Sequence, residues 1–398
     1  MTQRSATRIA ELLSGRCVDV VTKEDLAKRL AGDRPLRVKL GIDPTGPQLH
    51  LGHAVVLRKL RQFQDLGHHA ILIVGDFTAQ IGDPSGRADA RKPRTREEIV
   101  ADMKTYAEQA ALILDMDRAE FRYNSEWLGK LSFSDLIGLA GKVTVARMLE
   151  RDDFSKRYFA QEPIGLHEFL YPIGMGYDSV AVKADVELGG TEQLFNLLMG
   201  RRLQEEHGQS PQICMTLPIL EGTDGVQRMG KSLNNFIALR EAPAQMFGKV
   251  MSLPDALLRR YWELATTADD AEVEKALALP PRDSKLLLAE AIVRLYHGQE
   301  VASDAREHFA STVMRKEIPE DMREYPLVVD AQPVTVVKVL VMSGLAGSNR
   351  EGQRLIEQGA VKLDGARVDD PQQVEESWNG KVLQKGNHMF VRIVVPKR

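Results

Sequence analysis

One strand-turn-helix-strand run near the N-terminus restricts the fold more than any other feature. Val38-Lys-Leu-Gly-Ile42 has the length and apolar content of a short strand, and Asp43-Pro44-Thr45-Gly46-Pro47 stops it with turn-forming residues. From Gly52 to Leu66, apolar Val56, Leu60 and Phe63 recur at three- and four-residue spacing, with Arg58, Lys59, Arg61 and Gln62 between them. That spacing predicts an amphipathic helix with Gly67 as its stop. Ala70-Ile-Leu-Ile-Val74-Gly75 is then a continuous apolar run, as expected of a strand covered on both faces of a parallel sheet. Ser179-Val-Ala-Val-Lys183 and Gln212-Ile-Cys-Met-Thr-Leu217 are further strand expectations. Together they predict an α/β, Rossmann-like doubly wound parallel sheet over residues 1–238, with a mostly helical insertion at about 100–165 between two half-sheets.

After Asn234 the strand signals stop until about residue 334. Met246-Phe-Gly-Lys-Val250, Ala256-Leu-Leu-Arg-Arg-Tyr-Trp262 and Ser284 to Tyr296 have helical period and are separated by Pro254 and Pro280-Pro281, which predicts an all-helical domain over 239–330. Pro319 to Pro333 reads as its linker to a small α+β domain at 331–398. There Thr335–Met342 and Arg350–Glu357 are expected helices, and Ala360-Val-Lys-Leu-Asp364-Gly365 an expected hairpin. The net charge of −3 excludes a protein that coats nucleic acid over its whole surface, so a polyanion has to be met locally. Residues 331–398 carry 10 Lys/Arg against 7 Asp/Glu and are the candidate patch. Cys17 and Cys214, the two cysteines, form neither a metal-ligand spacing nor a disulfide framework, which suits a reducing compartment. The N-terminal residues have no signal-peptide pattern, and the run Ala70–Val74 is too short to span a bilayer, so a cytoplasmic protein without a membrane partner is expected.

Two segments carry chemistry. Pro44-Thr45-Gly46-Pro47-Gln48-Leu49-His50-Leu51-Gly52-His53 lies where a strand passes into a helix. Free backbone N–H groups and the positive end of the helix dipole make such a turn a phosphate site, and Gly52 removes a side chain that would hold a nucleotide away. His50 and His53 can both serve from the first helical turn as hydrogen-bond donors. The second segment, Asp224-Gly-Val-Gln-Arg228-Met229-Gly230-Lys231-Ser232-Leu-Asn234-Asn235, is a polar loop after an apolar strand. Its two cations can close on a triphosphate and bind most strongly as charge builds on departing pyrophosphate.

The first segment resembles the His-Ile-Gly-His motif of class I aminoacyl-tRNA synthetases, and Arg-Met-Gly-Lys-Ser resembles their Lys-Met-Ser-Lys-Ser loop, in the same order. Gly75-Asp-Phe-Thr78-Ala-Gln-Ile-Gly82-Asp83-Pro84-Ser85-Gly86, Tyr123-Asn124-Ser-Glu-Trp127, Tyr171-Pro-Ile-Gly-Met-Gly-Tyr177-Asp178 and Gly189-Gly190-Thr191-Glu192-Gln193 are similar to the bacterial tyrosyl branch. The tail from Val334 is similar to the RNA-binding fold named after a small-subunit ribosomal protein. The resemblance covers nearly the whole chain.

It implies a set of roles. Thr45, His50, His53, Arg228, Lys231 and Ser232 correspond to catalytic positions, and Asp43, Pro44, Gly52, Gly190, Glu192, Ile219, Leu220 and Met229 join His53 and Lys231 around ATP. Asp178 corresponds to the acceptor for a tyrosine phenol; Thr78 and Tyr171 to the α-amino site; Asp83 and Asn124 to the polar floor; Gln193 to the position facing the substrate carboxylate. A buried acceptor left unpaired by phenylalanine discriminates strongly, and tyrosyl-tRNA synthetases are the standard example. Met175 and Lys39 complete the implied tyrosine-binding set, Met175 standing where many relatives have glutamine and Lys39 where one branch has a tyrosine sharing the phenol contact. Glu192 replaces the usual aspartate, Arg228 a lysine and Gly230 a serine.

The implied reaction is attack of the tyrosine carboxylate on the α-phosphorus of ATP, presented with Mg²⁺, followed by transfer to tRNA(Tyr). The α-carboxyl group, with a pKa of about 3.3–3.7, needs no general base at neutral pH. No tightly bound protein metal is expected. Lys338, Arg350, Arg354, Lys362 and Arg392 are the expected RNA contacts, and the resemblance implies a homodimer joined near residues 120–165. Three alternatives stay open at this point: another adenylate-forming nucleotidyltransferase, a tryptophan-specific enzyme, and a non-catalytic RNA-binding protein on the same scaffold.

Overall fold

The computed structural model describes residues 3–85, 95–311, 322–327, 334–375, 377–386 and 389–396. Gly86 and most of the expected linker 319–333 lie outside them. The chain forms two compact units, Met1–Tyr296 and His297–Arg398.

The first unit is built on a six-stranded sheet: β1 (Asp19–Val21), β2 (Arg37–Ile42), β3 (His69–Val74), β4 (Ala119–Tyr123), β5 (Val186–Gly190) and β6 (Ile213–Leu217). Their order is β1-β6-β5-β2-β3-β4. β2 pairs in parallel with β3, Arg37 opposite His69 and Ile42 opposite Val74, and on its other side with β5, Val38 opposite Val186. β5 and β6 are also parallel, and β1 closes one edge antiparallel to β6. The sheet is thus doubly wound, and its order reverses between β2 and β5, where such sheets open a crevice at the strand C-termini.

The helix Leu51–Asp65 follows β2 and buries Leu51, Ala54, Leu57, Leu60 and Phe63. Lys59, read from the sequence as a polar-face residue, is buried with them: its ammonium donates to the carbonyls of Leu13 at 2.9 Å and Gly15 at 3.0 Å. Those acceptors satisfy the charge where an apolar wall alone would not. One strand expectation changes, and one strand lies inside the expected helical insertion. Ser179-Val-Ala-Val-Lys183 is not a strand but the end of the helix Leu170–Ala181 and its cap. A short apolar run looks alike in a buried helix and a buried strand, and here the chain turns at Lys183, φ +49°, before β5 begins at Val186. The insertion is mostly helical, but β4 runs through it as the other sheet edge, paired with β3 from Ala70 opposite Ala119 to Val74 opposite Tyr123. Beyond the sheet come the helices Pro243–Met251, Leu258–Ala265, Asp270–Leu277 and Pro281–His297.

The second unit contains a five-stranded sheet of order β7-β11-β10-β8-β9, with β7 (Arg323–Pro326), β8 (Val361–Leu363), β9 (Ala366–Arg367), β10 (Val382–Lys385) and β11 (Met389–Val394). Asp364 (φ +49°) and Gly365 (φ +84°) make the tight β8-β9 turn, the left-handed pair that an Asp-Gly hairpin requires. The helices Val336–Met342, capped by Thr335, and Asn349–Glu357, capped by Ser348, cover the sheet face carrying Leu363, Leu383 and Val391.

Candidate active site

The four central strands end together. β2 runs into Asp43, β3 into Gly75, β5 finishes at Gly189-Gly190 and β6 passes into Pro218, and their ends line a cavity of about 790 Å³. Its wall includes Thr45, His50, Gly52 and His53 from the first turn, and Arg228, Met229, Lys231 and Ser232 from the loop. Thr78, Asp83, Tyr171, Met175, Asp178, Gly190, Glu192, Gln193, Ile219 and Leu220, also expected, line it as well. Pro44, Lys39 and Asn124 stand outside the lining.

His50 is the extended N-cap residue of the helix Leu51–Asp65, and its backbone N–H donates to His53 Nδ1 at 3.2 Å. That bond makes Nδ1 an acceptor and leaves the proton of the neutral ring on Nε2. The two rings lie 3.9 Å apart. Burial, and then the charge of Lys231, push the pKa of His53 down to about 3. Burial, His53 and Lys231 hold His50 well below its ordinary value. Both are neutral donors throughout the physiological range. A Cβ at Gly52 would come within 3.0 Å of the His50 ring, so glycine preserves the imidazole's place as well as the approach to the turn.

The loop is tied to this turn at its root. Leu51 N–H donates to Ile237 carbonyl at 3.0 Å and Leu239 N–H to Leu49 carbonyl at 3.0 Å. Asn235, 3% exposed, staples the loop itself: its Nδ2 donates to Asp224 at 2.7 Å and to Arg228 carbonyl at 3.1 Å, and its Oδ1 accepts from Gly230 N–H at 2.8 Å. Lys231 Nζ then reaches back to Gly46 carbonyl at 2.7 Å and the Tyr106 hydroxyl at 3.3 Å. Tyr106, unforeseen in the sequence, donates to the same carbonyl at 2.7 Å.

The other end of the cavity is lined by carboxylates. Asp43 accepts from the Thr78 hydroxyl and the Tyr171 hydroxyl, both at 2.9 Å, so this expected nucleotide residue sits with the two expected α-amino residues. Asp178, 3% exposed, accepts from Trp127 Nε1 at 2.7 Å and Asn124 Nδ2 at 3.3 Å. Burial raises its pKa to about 7, against the opposing charge of Lys39 and these two donors. Asn124 therefore acts from behind, also donating to Thr78 at 3.0 Å. Lys39 is fully buried behind the wall, its ammonium bonded to Glu187 at 2.6 Å, Ser179 at 3.0 Å and Met175 carbonyl at 3.1 Å.

On the remaining wall Asp83 accepts from Ser85 N–H at 2.9 Å and from Gln193 Nε2 at 2.8 Å, and Gln193 Nε2 also donates to Ser85 Oγ at 3.0 Å. Burial pushes the Glu192 carboxyl upward, while Gly190 leaves room for it, since an added Cβ would fall 2.3 Å from that carboxylate. Among the described residues no group of three or more His, Cys, Asp or Glu is gathered for a metal ion. Arg151, which donates to Asp83 at 3.1 Å, and Glu187 escaped the sequence reading, and Asn235 was read only as part of the loop, because a single charged or amide side chain gives no periodic sign that it will be buried.

The expected RNA contacts fall into two groups. Lys338, Arg350 and Arg354 are exposed on the helices, the last two four residues apart on one helix. Lys362, opposite Gln384, and Arg392, opposite Val382, are on the sheet face away from Leu363, Leu383 and Val391.

Residues 31–313 match the family model for tRNA synthetases class I (W and Y), and residues 334–374 match the S4 domain. The chain is 51% identical over 389 residues to a tyrosine-tRNA ligase of Thermotoga maritima, covering 96% of each chain. It is 48% identical over 396 residues to a tyrosine-tRNA ligase of Coxiella burnetii, covering 98% of this chain and 99% of the other. In fold it is similar to a tyrosyl-tRNA synthetase of Archaeoglobus fulgidus solved with L-tyrosine, with a TM-score of 0.62 at 24% identity, over 77% of this chain and all of that one.

Proposed function

The chain belongs to the class I tRNA synthetases of the W and Y family and carries an S4 domain, and from that premise we propose that it activates L-tyrosine with ATP and transfers it to tRNA(Tyr). One observation supports this reading above the rest: a single cavity of about 790 Å³ is lined by the neutral histidine pair, by Lys231 and by Asp178. The histidines and Lys231 are donors for the phosphates, and Ile219, Leu220 and Met229 offer an apolar wall to the adenine. Gly190 and Glu192 take the ribose. Asp178 receives the phenol O–H, and Asp43 with Thr78 and Tyr171 receives the α-ammonium. The substrate carboxylate is already ionised, so the protein contributes alignment and charge stabilisation on the α-phosphate and pyrophosphate. Thr45, Arg228 and Ser232 add to that clamp. Mg²⁺ enters as part of the nucleotide, since the cavity's phosphate end is furnished with imidazoles and cations rather than a carboxylate cage. In the second step a terminal adenosine hydroxyl of the tRNA attacks the adenylate carbonyl, forming the ester as the acyl–phosphate bond breaks and AMP leaves.

Amino-acid-dependent ATP–pyrophosphate exchange tests the assignment. Exchange with tyrosine and not tryptophan is expected; exchange with tryptophan alone would overturn it, and no exchange with either would favour a binding protein.

The proposal includes RNA contacts from Lys338, Arg350, Arg354, Lys362 and Arg392. Replacing Lys338, Arg350 and Arg354 together by alanine leaves tyrosine activation unchanged and weakens charging of tRNA. The deficit narrows as salt rises, because each phosphate contact carries a counterion-release contribution. A deficit independent of salt would point to base or shape recognition. A homodimer and a cytoplasmic location complete the proposal. The insertion supports the former with exposed Phe133, Ile137, Val145 and Phe159, apolar surface of the kind that marks an interface. Sedimentation equilibrium giving a monomer at micromolar concentration would remove it. No helix among the described residues is long and apolar enough to cross a membrane.

A further inference from the structure

We propose that Arg151, brought in by the helical insertion, is a positioning residue that neutralises Asp83 so that the carboxylate of the amino-acid substrate can be received beside Gln193. The inference rests on reading the pocket as an amino-acid site. Arg151 is 4% exposed and does not line the cavity, yet one of its guanidinium nitrogens bonds the lining residue Asp83, and a second bonds Asn196 directly behind the lining residue Gln193. One Nη donates to Asp83 Oδ1 at 3.1 Å, the other to Asn196 Oδ1 at 3.0 Å, and Nε to Asp153 at 2.7 Å. Asn196, itself fully buried, passes the constraint on by donating to Gln193 Oε1 at 2.8 Å. With its oxygen committed to Asn196, Gln193 must present its NH₂ to Asp83 and Ser85, so one guanidinium fixes both the charge of the aspartate and the polarity of the amide.

The electrostatics give the arrangement a purpose. Gln193 and Asp83 are bonded to one another in the cavity wall, so an incoming carboxylate that meets the amide also meets an aspartate. Burial by itself would raise the Asp83 pKa, but the Arg151 charge and the bonds from Ser85 and Gln193 hold it below the ordinary value, so the group is ionised. Without a cation directly behind it, that negative charge would repel the substrate's own. Phe154 and Phe195 flank the guanidinium at 5.4 and 5.9 Å, which restricts water around the pair and strengthens its interaction with Asp83.

Tyramine, which is tyrosine without the carboxylate, separates this role from a structural one. Equilibrium binding of tyrosine and tyramine to the full-length wild-type protein, Arg151→Met and Arg151→Lys is the experiment. Arg151→Met is expected to weaken tyrosine on the order of tenfold or more, while tyramine binds as before or more tightly, its ammonium now facing an uncompensated aspartate. Arg151→Lys, which keeps the charge but places its donors on one atom and cannot span the separate positions of Asp83, Asn196 and Asp153, falls between for tyrosine, and the KM for ATP stays constant across the three proteins. Equal weakening of both ligands, or tyrosine binding that does not change, would overturn the proposal. If the wild type binds tryptophan instead of tyrosine, the functional reading fails, and tryptophan against tryptamine puts the same question to Arg151.

Discussion

Lys231→Ala is expected to lower the rate of tyrosyl-adenylate formation on the order of 10²–10³-fold, the usual cost of removing one donor aimed at charge that develops in a transition state. Tyrosine binding should remain within about twofold, because an interaction made mainly in the transition state contributes to rate and little to ground-state affinity. The geometry supports that split. Before substrate arrives the ammonium is held at 2.7 Å by Gly46 carbonyl and at 3.3 Å by Tyr106, at the mouth of the histidine turn. Asp178 keeps its own bonds from Trp127 and Asn124 when the lysine is cut back. Rapid-quench measurement of adenylate formation, with tyrosine affinity taken separately by equilibrium titration, checks both halves. A variant that loses tyrosine affinity in the same proportion as rate would place Lys231 in the architecture of the pocket rather than in the chemistry.

The second large effect concerns selectivity. Asp178→Asn is expected to reduce kcat/KM for tyrosine by two orders of magnitude or more, and to bring tyrosine and phenylalanine close to parity, since the hydrogen-bonding logic of such a site is what rejects the analogue lacking the hydroxyl. The substitution replaces one accepting oxygen with an NH₂ group facing the donors of Trp127 and Asn124, so one of those two N–H groups loses its partner. The pH dependence has a definite sign. The phenol O–H donates to the ionised carboxylate, and burial sets the Asp178 pKa at about 7, so tyrosine affinity should rise with pH through neutrality and level off above it. Stability of the unliganded protein moves the other way: the folded state holds the Asp178 proton more tightly than the unfolded chain, whose ordinary value is 3.8, so this stabilisation is complete below about 4 and is lost as pH rises through about 7. The histidines add no inflection near neutrality, both being held neutral by burial. A titration of tyrosine affinity that is flat from pH 5 to 9 in the wild type, or that keeps its inflection in Asp178→Asn, would exclude this account.

The parts of the fold that the sequence disclosed are those with a period or a turn signature. The β2-helix-β3 unit was legible because parallel strands demand unbroken apolar runs and the helix between them demands a three-four repeat. The Asp364-Gly365 hairpin was legible because few residue pairs tolerate two positive φ values. Ser179–Lys183 misled because the apolar and small residues Ser179-Val-Ala-Val182 fit either backbone state, and the decision was taken by the helix already running from Leu170. β5 was missed since Val186-Glu-Leu-Gly-Gly carries a charge and two glycines, and only the fold reveals that Glu187 faces Lys39 inside the sheet. The cavity followed the same division. Residues in recognisable turns, His50, His53 and Lys231 among them, were found as a set. Lys39 was expected to touch the substrate, but it lies behind the wall at zero exposure, paired with Glu187. No local pattern distinguishes a lysine on a strand edge from one in an ion pair beneath a pocket, because the partner comes from another strand.

The short ladder that ties Leu49 and Leu51 to Ile237 and Leu239 sets the gauge of the phosphate clamp. The span between imidazoles and lysine is determined by a handful of residues on either side of that clasp, not by the roughly 180 that separate them along the chain. A change in the length of the intervening chain therefore leaves the jaws around the nucleotide at the same spacing, so long as Tyr106 of the insertion still meets the Gly46 carbonyl and Lys231 at their mouth.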